Sequence, residues 1–211
     1  MRSHVYRSSP PRRRIGGAIA VLAAVATFAG GGVAHAQSGS NVARGKLATS
    51  LSVPCSAQSG PGKAVDGDQF PPVFPPNIYT NKWCARPPLV GPHVLTVNLG
   101  LGEGYGYDLN AITLLHAQYG GESPLFNTRA YSIQVSPNGL AWGTVATSTA
   151  NTASNNTYFF PAGLQGVTQV RLVINQAEQR PGVNVARIYE LQAWGTARPI
   201  PLCDFLLNIC F

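Results

Sequence analysis

The sequence predicts an all-β protein built as an antiparallel β-sandwich, and three observations predict it. First, 45% of the 211 residues are hydrophobic, which is enough for a buried core and excludes a chain disordered throughout. Second, no stretch after the N-terminal leader keeps the periodicity of an amphipathic helix. Third, short runs of β-type residues are separated by Gly, Pro, Asn and Asp, which is typical of packed antiparallel sheets.

Five runs have the composition of β-strands. Three of them alternate apolar and polar residues, one is more continuously apolar, and the last is rich in aromatic and aliphatic residues. In chain order they are 93–99 (HVLTVNL), 111–115 (AITLL), 130–135 (AYSIQV), 170–174 (VRLVI) and 187–194 (RIYELQAW). The turn signal SPNG at 136–139 predicts that the third run begins a hairpin that returns through Trp142.

Residues 1–36 are predicted to be a cleaved signal peptide. They contain five arginines and no acid, then an apolar stretch at 15–33 and the cleavage signal Ala-His-Ala at 34–36. Glycines shorten the apolar part below the roughly 20 residues of a spanning helix, so we expect no transmembrane span after cleavage. The pair Arg12-Arg13 leaves both Sec and Tat export open, and the protein is expected to be secreted.

The charge of the chain sits mainly in this leader. The whole sequence has a formal charge of +7, but the residues after position 36 include ten basic and eight acidic residues, which leaves +2. A nearly neutral mature chain removes the reason to expect a nucleic-acid partner. It suits hydrogen bonding to an uncharged ligand.

Export places the four cysteines in an oxidising compartment, where an even number favours disulfides. The sequence contains neither a C-x-x-C pair nor a Cys/His zinc spacing. Four cysteines allow three pairings, of which we favour the nearest neighbours, Cys55–Cys84 and Cys203–Cys210. The first bridge is expected to stabilise the fold by about 3–4 kcal/mol. The alternative is that some of these cysteines are buried thiols.

The mature chain is predicted to consist of one sandwich domain at 37–196 and a short tail at 197–211. Two segments are predicted to be loops: 66–82, which has too many prolines for a paired strand, and the polar, Gly-rich 118–128. Long loops on a rigid β scaffold usually carry the binding groups. The tail is apolar and contains two cysteines; it could pack on the domain, anchor a partner or be a poorly ordered terminus.

Motifs for catalysis are mostly lacking, so we expect no enzyme activity. The sequence has no G-x-S-x-G, H-E-x-x-H or S-x-x-K motif. After cleavage of the leader only His93 and His116 remain for acid–base chemistry at neutral pH. The alternative is an unrecognised hydrolase that uses His116 with Glu122 or Asp108.

Six motifs occur in an order that resembles the discoidin, or coagulation factor five/eight type C, domain family. They are 41–49 (NVARGKLAT), 63–68 (KAVDGD) with Trp83, 94–100 (VLTVNLG), 131–142 (YSIQVSPNGLAW), 170–172 (VRL) and 188–195 (IYELQAWG). The resemblance spans 41–195 and implies a galactose-binding-like jelly roll of about eight strands, as in bacterial carbohydrate-binding modules. It implies a lectin-like protein that binds a glycan or polysaccharide through loops at one end of the sandwich. The alternative is a cell-surface adhesion or structural protein that uses the apolar tail.

The resemblance also implies a structural calcium ion. Asp66 and Asp68 match the family's acidic loop, and Glu190 matches the acid of the last strand that closes the site. A tight Asp-Gly-Asp turn can present the carboxylate and carbonyl oxygens that calcium requires. The family's threonine has Asn81 in its place, with Thr80 one residue earlier. The alternative is that the two aspartates cap a turn.

Six polar residues in or beside the loops are candidates for contacting the glycan. His116 ends the 111–115 run, where related modules often place a ligand-contacting side chain. His and Arg can donate hydrogen bonds to sugar hydroxyls, whereas Glu and Asn can accept them. The candidates are His116, Tyr119, Glu122, Arg129, Arg180 and Asn184. The alternative for His116 is a histidine satisfied at the rim of the sandwich.

The three tryptophans could form a stacking platform for a sugar, because an aromatic ring suits the apolar face of a pyranose. By position, Trp83, Trp142 and Trp194 match the core aromatics of the family. We therefore expect all three in the core.

Overall fold

The computed structural model describes residues 39–68 and 81–199, with the backbone of 203–204 and 209–210. Two antiparallel sheets form a sandwich, and the helices of the described residues are short 3₁₀ turns. The predicted all-β class is confirmed. Within the described ranges no helix is long and apolar enough to cross a membrane. The predicted signal peptide at 1–36, the proline-rich residues 69–80 and most of the tail lie outside these ranges.

Twelve strands follow each other along the described chain. They are β1 (Ser40–Asn41), β2 (Leu47–Ser50), β3 (Trp83–Ala85), β4 (His93–Asn98), β5 (Tyr105–His116), β6 (Ala130–Ser136), β7 (Gly143–Ser148), β8 (Asn155–Val167), β9 (Gln169–Gln176), β10 (Ala186–Pro199), β11 (Cys203–Asp204) and β12 (Ile209–Cys210). The 3₁₀ turns are Pro61–Ala64, Ala117–Gly120 and Pro124–Phe126. All five runs predicted from the sequence coincide with strands.

Strands β1 to β10 divide into two sheets of five. The first sheet has the order β1-β10-β5-β8, with β3 also paired to β10, and the second has the order β2-β4-β9-β6-β7. The predicted hairpin is present as β6–β7. Its turn is held by the side chain of Asn138, whose Oδ1 accepts from the backbone N–H of Leu140 and Ala141, and by Gly139, which has a φ of 75°.

The core lies between the sheets and follows from the two-residue period of each strand. On β4, for example, Leu95 and Val97 are buried while Thr96 between them faces solvent, and β9 repeats the pattern. Of the three tryptophans, only Trp83 is fully buried. The expectation that Trp142 and Trp194 are core residues is wrong, because both are half-buried and stand on outer faces of the sheets.

The predicted disulfide Cys55–Cys84 is confirmed, with its two Cα atoms 5.3 Å apart. Cys84 is buried in β3, so the bridge ties the loop after β2 to the first sheet. In the tail, β11 pairs with β12 so that the backbone of Cys203 lies opposite that of Cys210. The side chains of that second pair are outside the described part of the chain, and their bridge stays a prediction.

Candidate functional site

Three loops meet at one end of the sandwich. β5 ends at His116 opposite the start of β10, and β9 ends at Gln176 opposite the start of β6. Each connecting loop runs from one sheet to the other, because β5 and β6, β7 and β8, and β9 and β10 belong to different sheets. Residues 117–129, 149–154 and 177–185 therefore form one surface, the loop end.

Gln179 fastens the three loops of this surface together. Its backbone N–H donates to the carbonyl of Leu125 at 2.9 Å. Its side-chain Nε2 donates to the carbonyls of Asn127 at 2.9 Å and Asn151 at 2.8 Å. Its Oε1 accepts from Nη1 of Arg129 at 3.1 Å. One residue of the 177–185 loop thus fixes the other two loops, which pre-organises the surface.

Five charged side chains form a network beneath the loop end. Lys82 Nζ lies 2.5 Å from Glu122 Oε1, and Arg187 Nε lies 3.4 Å from Glu122 Oε2. Arg187 also pairs with Glu178, to which Arg180 donates through Nε at 3.0 Å and Nη2 at 2.5 Å. The side chains of Lys82 and Glu178 are fully buried. Burial lowers the pKa of Lys82, and the hydrogen bond that Lys82 donates to Glu122 opposes that effect.

Aromatic rings fill the space around these cations. The guanidinium carbons of Arg180 and Arg187 lie 4.7 and 4.3 Å from the ring centre of Phe126. The Lys82 ammonium lies 5.1 Å from the ring centre of Tyr189. Cation–π contacts of this kind act together with the ion pairs to hold the arginines in place. The loop end is therefore a rigid scaffold rather than a set of independent loops.

A polar cavity of about 410 Å³ opens in the 177–185 loop. Such a volume lies within the range of small-molecule sites. Arg180 at its wall keeps 42% of its side chain exposed, although two of its nitrogens are bound to Glu178. The lining residues are Asn175, Gln176, Arg180, Pro181, Gly182, Val183 and Asn184. The amide and guanidinium groups of this wall are suited to hydrogen-bonding hydroxyl groups.

Five of the six predicted ligand residues fall into three groups. Arg180 and Asn184 line the cavity together. Glu122 and Arg129 lie in the hydrogen-bonded and ionic networks that support the loops. Tyr119 is half-buried in the 3₁₀ turn Ala117–Gly120.

His116, the last of the six, is fully buried below the loop end. Its Nε2 is 2.8 Å from Oδ1 of Asn156, and its ring centre lies 5.5 Å from that of Tyr131. Burial lowers the pKa of His116 to about 4, so the ring is neutral at physiological pH. This geometry matches a core histidine. It also gives the hydrolase alternative no support, since Asp108 binds Gly166 N–H and Arg198 while Glu122 binds Lys82 and Arg187.

Of the residues predicted for calcium, Asp66 and Asp68 lie in the turn that follows Pro61–Ala64, beside Glu190 on β10 of the first sheet. Glu190 is fully buried, and its Oε1 accepts from the Gly67 N–H at 3.1 Å. Asp66 Oδ1 accepts from the Asp68 N–H at 3.0 Å, and Asp66 Oδ2 is 2.8 Å from Lys63 Nζ. The two aspartates thus make a capped turn that faces Glu190.

The chemistry of this acidic corner fits a cation. Glu190 Oε2 is buried without a hydrogen-bond partner, and burial, with Asp66 and Asp68 nearby, raises the pKa of Glu190 to about 8. A cation would satisfy that oxygen. No three acidic, histidine or cysteine side chains of the described ranges are grouped to hold a metal by themselves, so backbone oxygens would have to contribute. Thr80 lies outside the described residues.

Sequence reasoning missed the residues that shape the loop end. They are Lys82, Phe126, Glu178, Gln179 and Arg187. One signal was available in the sequence: Glu178 and Arg180 stand two residues apart in a chain with only 11% charged residues. The contact of that pair with Arg187 and Phe126 depends on the fold.

Comparison with known proteins supports the fold. No family model matches the chain, and no curated protein matches its sequence. Among solved structures, the family 32 carbohydrate-binding module of Streptococcus pneumoniae EndoD superposes with a TM-score of 0.58 at 16% identity, over 74% of this chain and 100% of that one. The fold is that of family 32 carbohydrate-binding modules. The predicted galactose-binding-like β-sandwich is thereby confirmed.

Two further modules with this fold are similar to the chain. Chitosan-binding module 1 of a chitosanase/glucanase from Paenibacillus sp. IK-5 has a TM-score of 0.53 and 23% identity, and covers 74% of this chain and 99% of that one. CpGH89CBM32-5 from Clostridium perfringens, solved in complex with GalNAc-β-1,3-galactose, has a TM-score of 0.53 and 21% identity, over 71% of this chain and 95% of that one.

Proposed function

We propose that this chain is a secreted, non-catalytic protein that binds glycans through the loop end. The observation that carries the proposal is the cavity of about 410 Å³ walled by Arg180, Asn184 and neighbouring amides, in a domain with the fold of carbohydrate-binding modules. The similar modules are described as binding chitosan and GalNAc-β-1,3-galactose. Amino sugars and β-galactosides are accordingly the first ligands to test.

The chemistry of the cavity suits an uncharged sugar. Arginine and amide N–H groups donate to hydroxyls, and amide and backbone oxygens accept from them. Because Gln179 and the ion pairs already hold the loops, a ligand would not have to order them, and the entropic cost of binding is reduced.

The acids of the loop end support a binding role rather than catalysis. Glu122 and Glu178 are each bound to two cationic side chains, which leaves neither carboxylate positioned to exchange protons with a ligand. His116 is buried and neutral. These groups build the site but do not face its cavity.

A glycan array with the purified chain, followed by titration calorimetry on the best sugar, tests this proposal. Arg180→Ala and Asn184→Ala are expected to weaken binding of that sugar by roughly tenfold or more, the effect of one or two lost hydrogen bonds to a charged or amide donor. Arg198→Ala is the matched control, because Arg198 is a surface arginine on β10 with 48% of its side chain exposed. An array without any glycan signal, or equal affinity of all three variants, would contradict the proposal.

A structural calcium ion is the second part of the proposal, supported by the unpartnered Oε2 of Glu190 beside Asp66 and Asp68. These three residues would hold it together with backbone oxygens, and the ion would neutralise the buried carboxylate and link the loop after β2 to β10. Calcium is expected to raise the melting temperature of the wild type but not of Glu190→Gln. Asp108→Asn, a surface acid 39% exposed on β5, serves as the control and should keep the response. Equal melting temperatures with calcium and with chelator would remove this part of the proposal.

A further inference from the structure

The solvent face of the second sheet is polar but almost uncharged. Strands β2, β4, β6, β7 and β9 together contain one lysine, arginine or acid, which is Arg171 on β9. Solvent-facing strands and sheet edges ordinarily carry charged side chains, which keep them soluble and prevent edge pairing. Here threonine, serine, asparagine and glutamine take most of those positions, including on the edge strands β2 and β7, and the aliphatic residues Leu47, Val94 and Val173 take the others.

The register of the strands aligns five of these side chains in one row across the sheet. From edge to edge the row reads Thr49, Thr96, Arg171, Gln134 and Thr144. Their chain neighbours, such as Leu95, Val97 and Leu172, are buried, so the row faces solvent. With strands about 4.8 Å apart, the row is about 19 Å long. It ends on the edge strands β2 and β7.

Hydrogen bonds align the central side chains of the row. Arg171 Nε donates to Gln134 Oε1 at 2.5 Å, and Gln134 Nε2 donates to Thr144 Oγ1 at 3.2 Å. The side chain of Trp142 lies over the same arginine, with the guanidinium carbon 4.1 Å from the centre of its ring. A half-buried indole therefore stands on the solvent side of the sheet, beside the middle of the row.

We propose that this face is a second carbohydrate-binding surface, which takes an extended, uncharged polysaccharide along the row from Thr49 to Thr144. The indole of Trp142 supplies the apolar contact that a pyranose face requires, and the hydroxyl and amide groups on both sides supply hydrogen bonds. Uncharged groups cost less to desolvate than ions do, so a long neutral chain can lie on them with little penalty.

The charges of the face select this ligand over the alternatives. A polyanion would find one guanidinium, and that group already lies against Trp142 and is bonded to Gln134. A polycation would find no carboxylate on these five strands. The row from Thr49 to Thr144 shares no residue with the cavity of the loop end, so it extends the proposed function without depending on that cavity.

Affinity electrophoresis of the full chain in native gels that contain hydroxyethyl cellulose, galactomannan or galactan tests this surface. We expect retardation by at least one of the three polysaccharides. Trp142→Ala is expected to weaken the affinity derived from that retardation roughly tenfold, because one stacking contact is lost. Thr49→Glu and Thr144→Glu place a carboxylate at either end of the row and should weaken it as well. Thr196→Glu, at an exposed threonine of the first sheet, is the matched control and should not. Thermal unfolding verifies that each variant is folded.

The loop-end variant Arg180→Ala separates this proposal from the previous one. Retardation that survives Arg180→Ala but is lost in folded Trp142→Ala and Thr144→Glu supports the second surface. Retardation that is lost only in Arg180→Ala overturns it and leaves the loop-end proposal standing. Wild-type protein that none of the three polysaccharides retards also overturns it, whereas the glycan array remains the test of the loop end.

Discussion

Arg180 donates two hydrogen bonds to a single carboxylate oxygen of Glu178, from Nε at 3.0 Å and from Nη2 at 2.5 Å. The other oxygen of Glu178 is bound to Arg187 on β10. A carboxylate that is itself fully buried thus sets the position of a half-exposed arginine at the wall of the cavity. Glu178 therefore orients a residue of the cavity wall, although we do not expect Glu178 itself to contact a ligand.

Glu178→Gln is expected to destabilise the protein by about 3 kcal/mol, because it leaves Arg187 buried without its full counter-charge. Urea unfolding measures the change. The same variant should weaken glycan binding, since Arg180 loses the group that orients it. Glu103→Gln, at an exposed acid paired with Lys46, is the control and should unfold as the wild type does. Equal midpoints for both variants would show that the network is not structural.

Gly120→Ala is expected to destabilise the fold by about 1–3 kcal/mol through overpacking. A Cβ atom at Gly120 would lie 1.9 Å from ring atoms of Tyr189, which in turn contacts Lys82. The clash therefore reaches the ion-pair network. Gly62→Ala is the control, because a Cβ there meets no atom within 4 Å. Differential scanning calorimetry measures the effect, and melting temperatures that are equally low for both variants would contradict this packing.

Stability is expected to fall as the pH drops from about 6.5 toward 4, owing to His116. The unfolded chain takes up a proton on this residue near pH 6.5, whereas burial delays uptake in the folded state until the pKa of about 4. Protons therefore favour unfolding in this window, by about 1.4 kcal/mol per pH unit. Denaturant unfolding at several pH values should show a shallower slope for His116→Asn than for the wild type. Equal slopes of stability against pH in the two proteins would mean that the pKa of His116 is the same in the folded and unfolded states.

The fold could be predicted from the sequence because it rests on local signals. The alternation in 93–99 and 170–174 places Leu95 and Leu172 in the core whatever the neighbouring strands are. The Cys55–Cys84 bridge was predictable because the sequence has an even number of cysteines and these two are near neighbours in the chain. The alternation depends on residues that are close in the chain. The disulfide was predictable because a cysteine can form this bond only with another cysteine, and the chain has four.

The candidate site was predictable only in part, because it is made by contacts between distant residues. Arg180 and Asn184 share a loop, and the structure indeed places them on one cavity. His116 has the right residue type, but the inward side of β5 buries it. The partnership of Lys82 with Glu122, 40 residues away, has no local signature at all. Trp142 likewise carries a family-like core pattern, yet the bend of its hairpin leaves it on Arg171 at the surface.

Amide chemical shifts followed by NMR during titration with the best glycan of the array test the central claim most directly. If the loop end binds glycans, the first and largest changes will occur in residues 175–184, around Arg180 and Asn184, and Arg180→Ala will abolish them. Changes that spare these residues and appear elsewhere on the domain, or no changes at saturating sugar, would contradict the account.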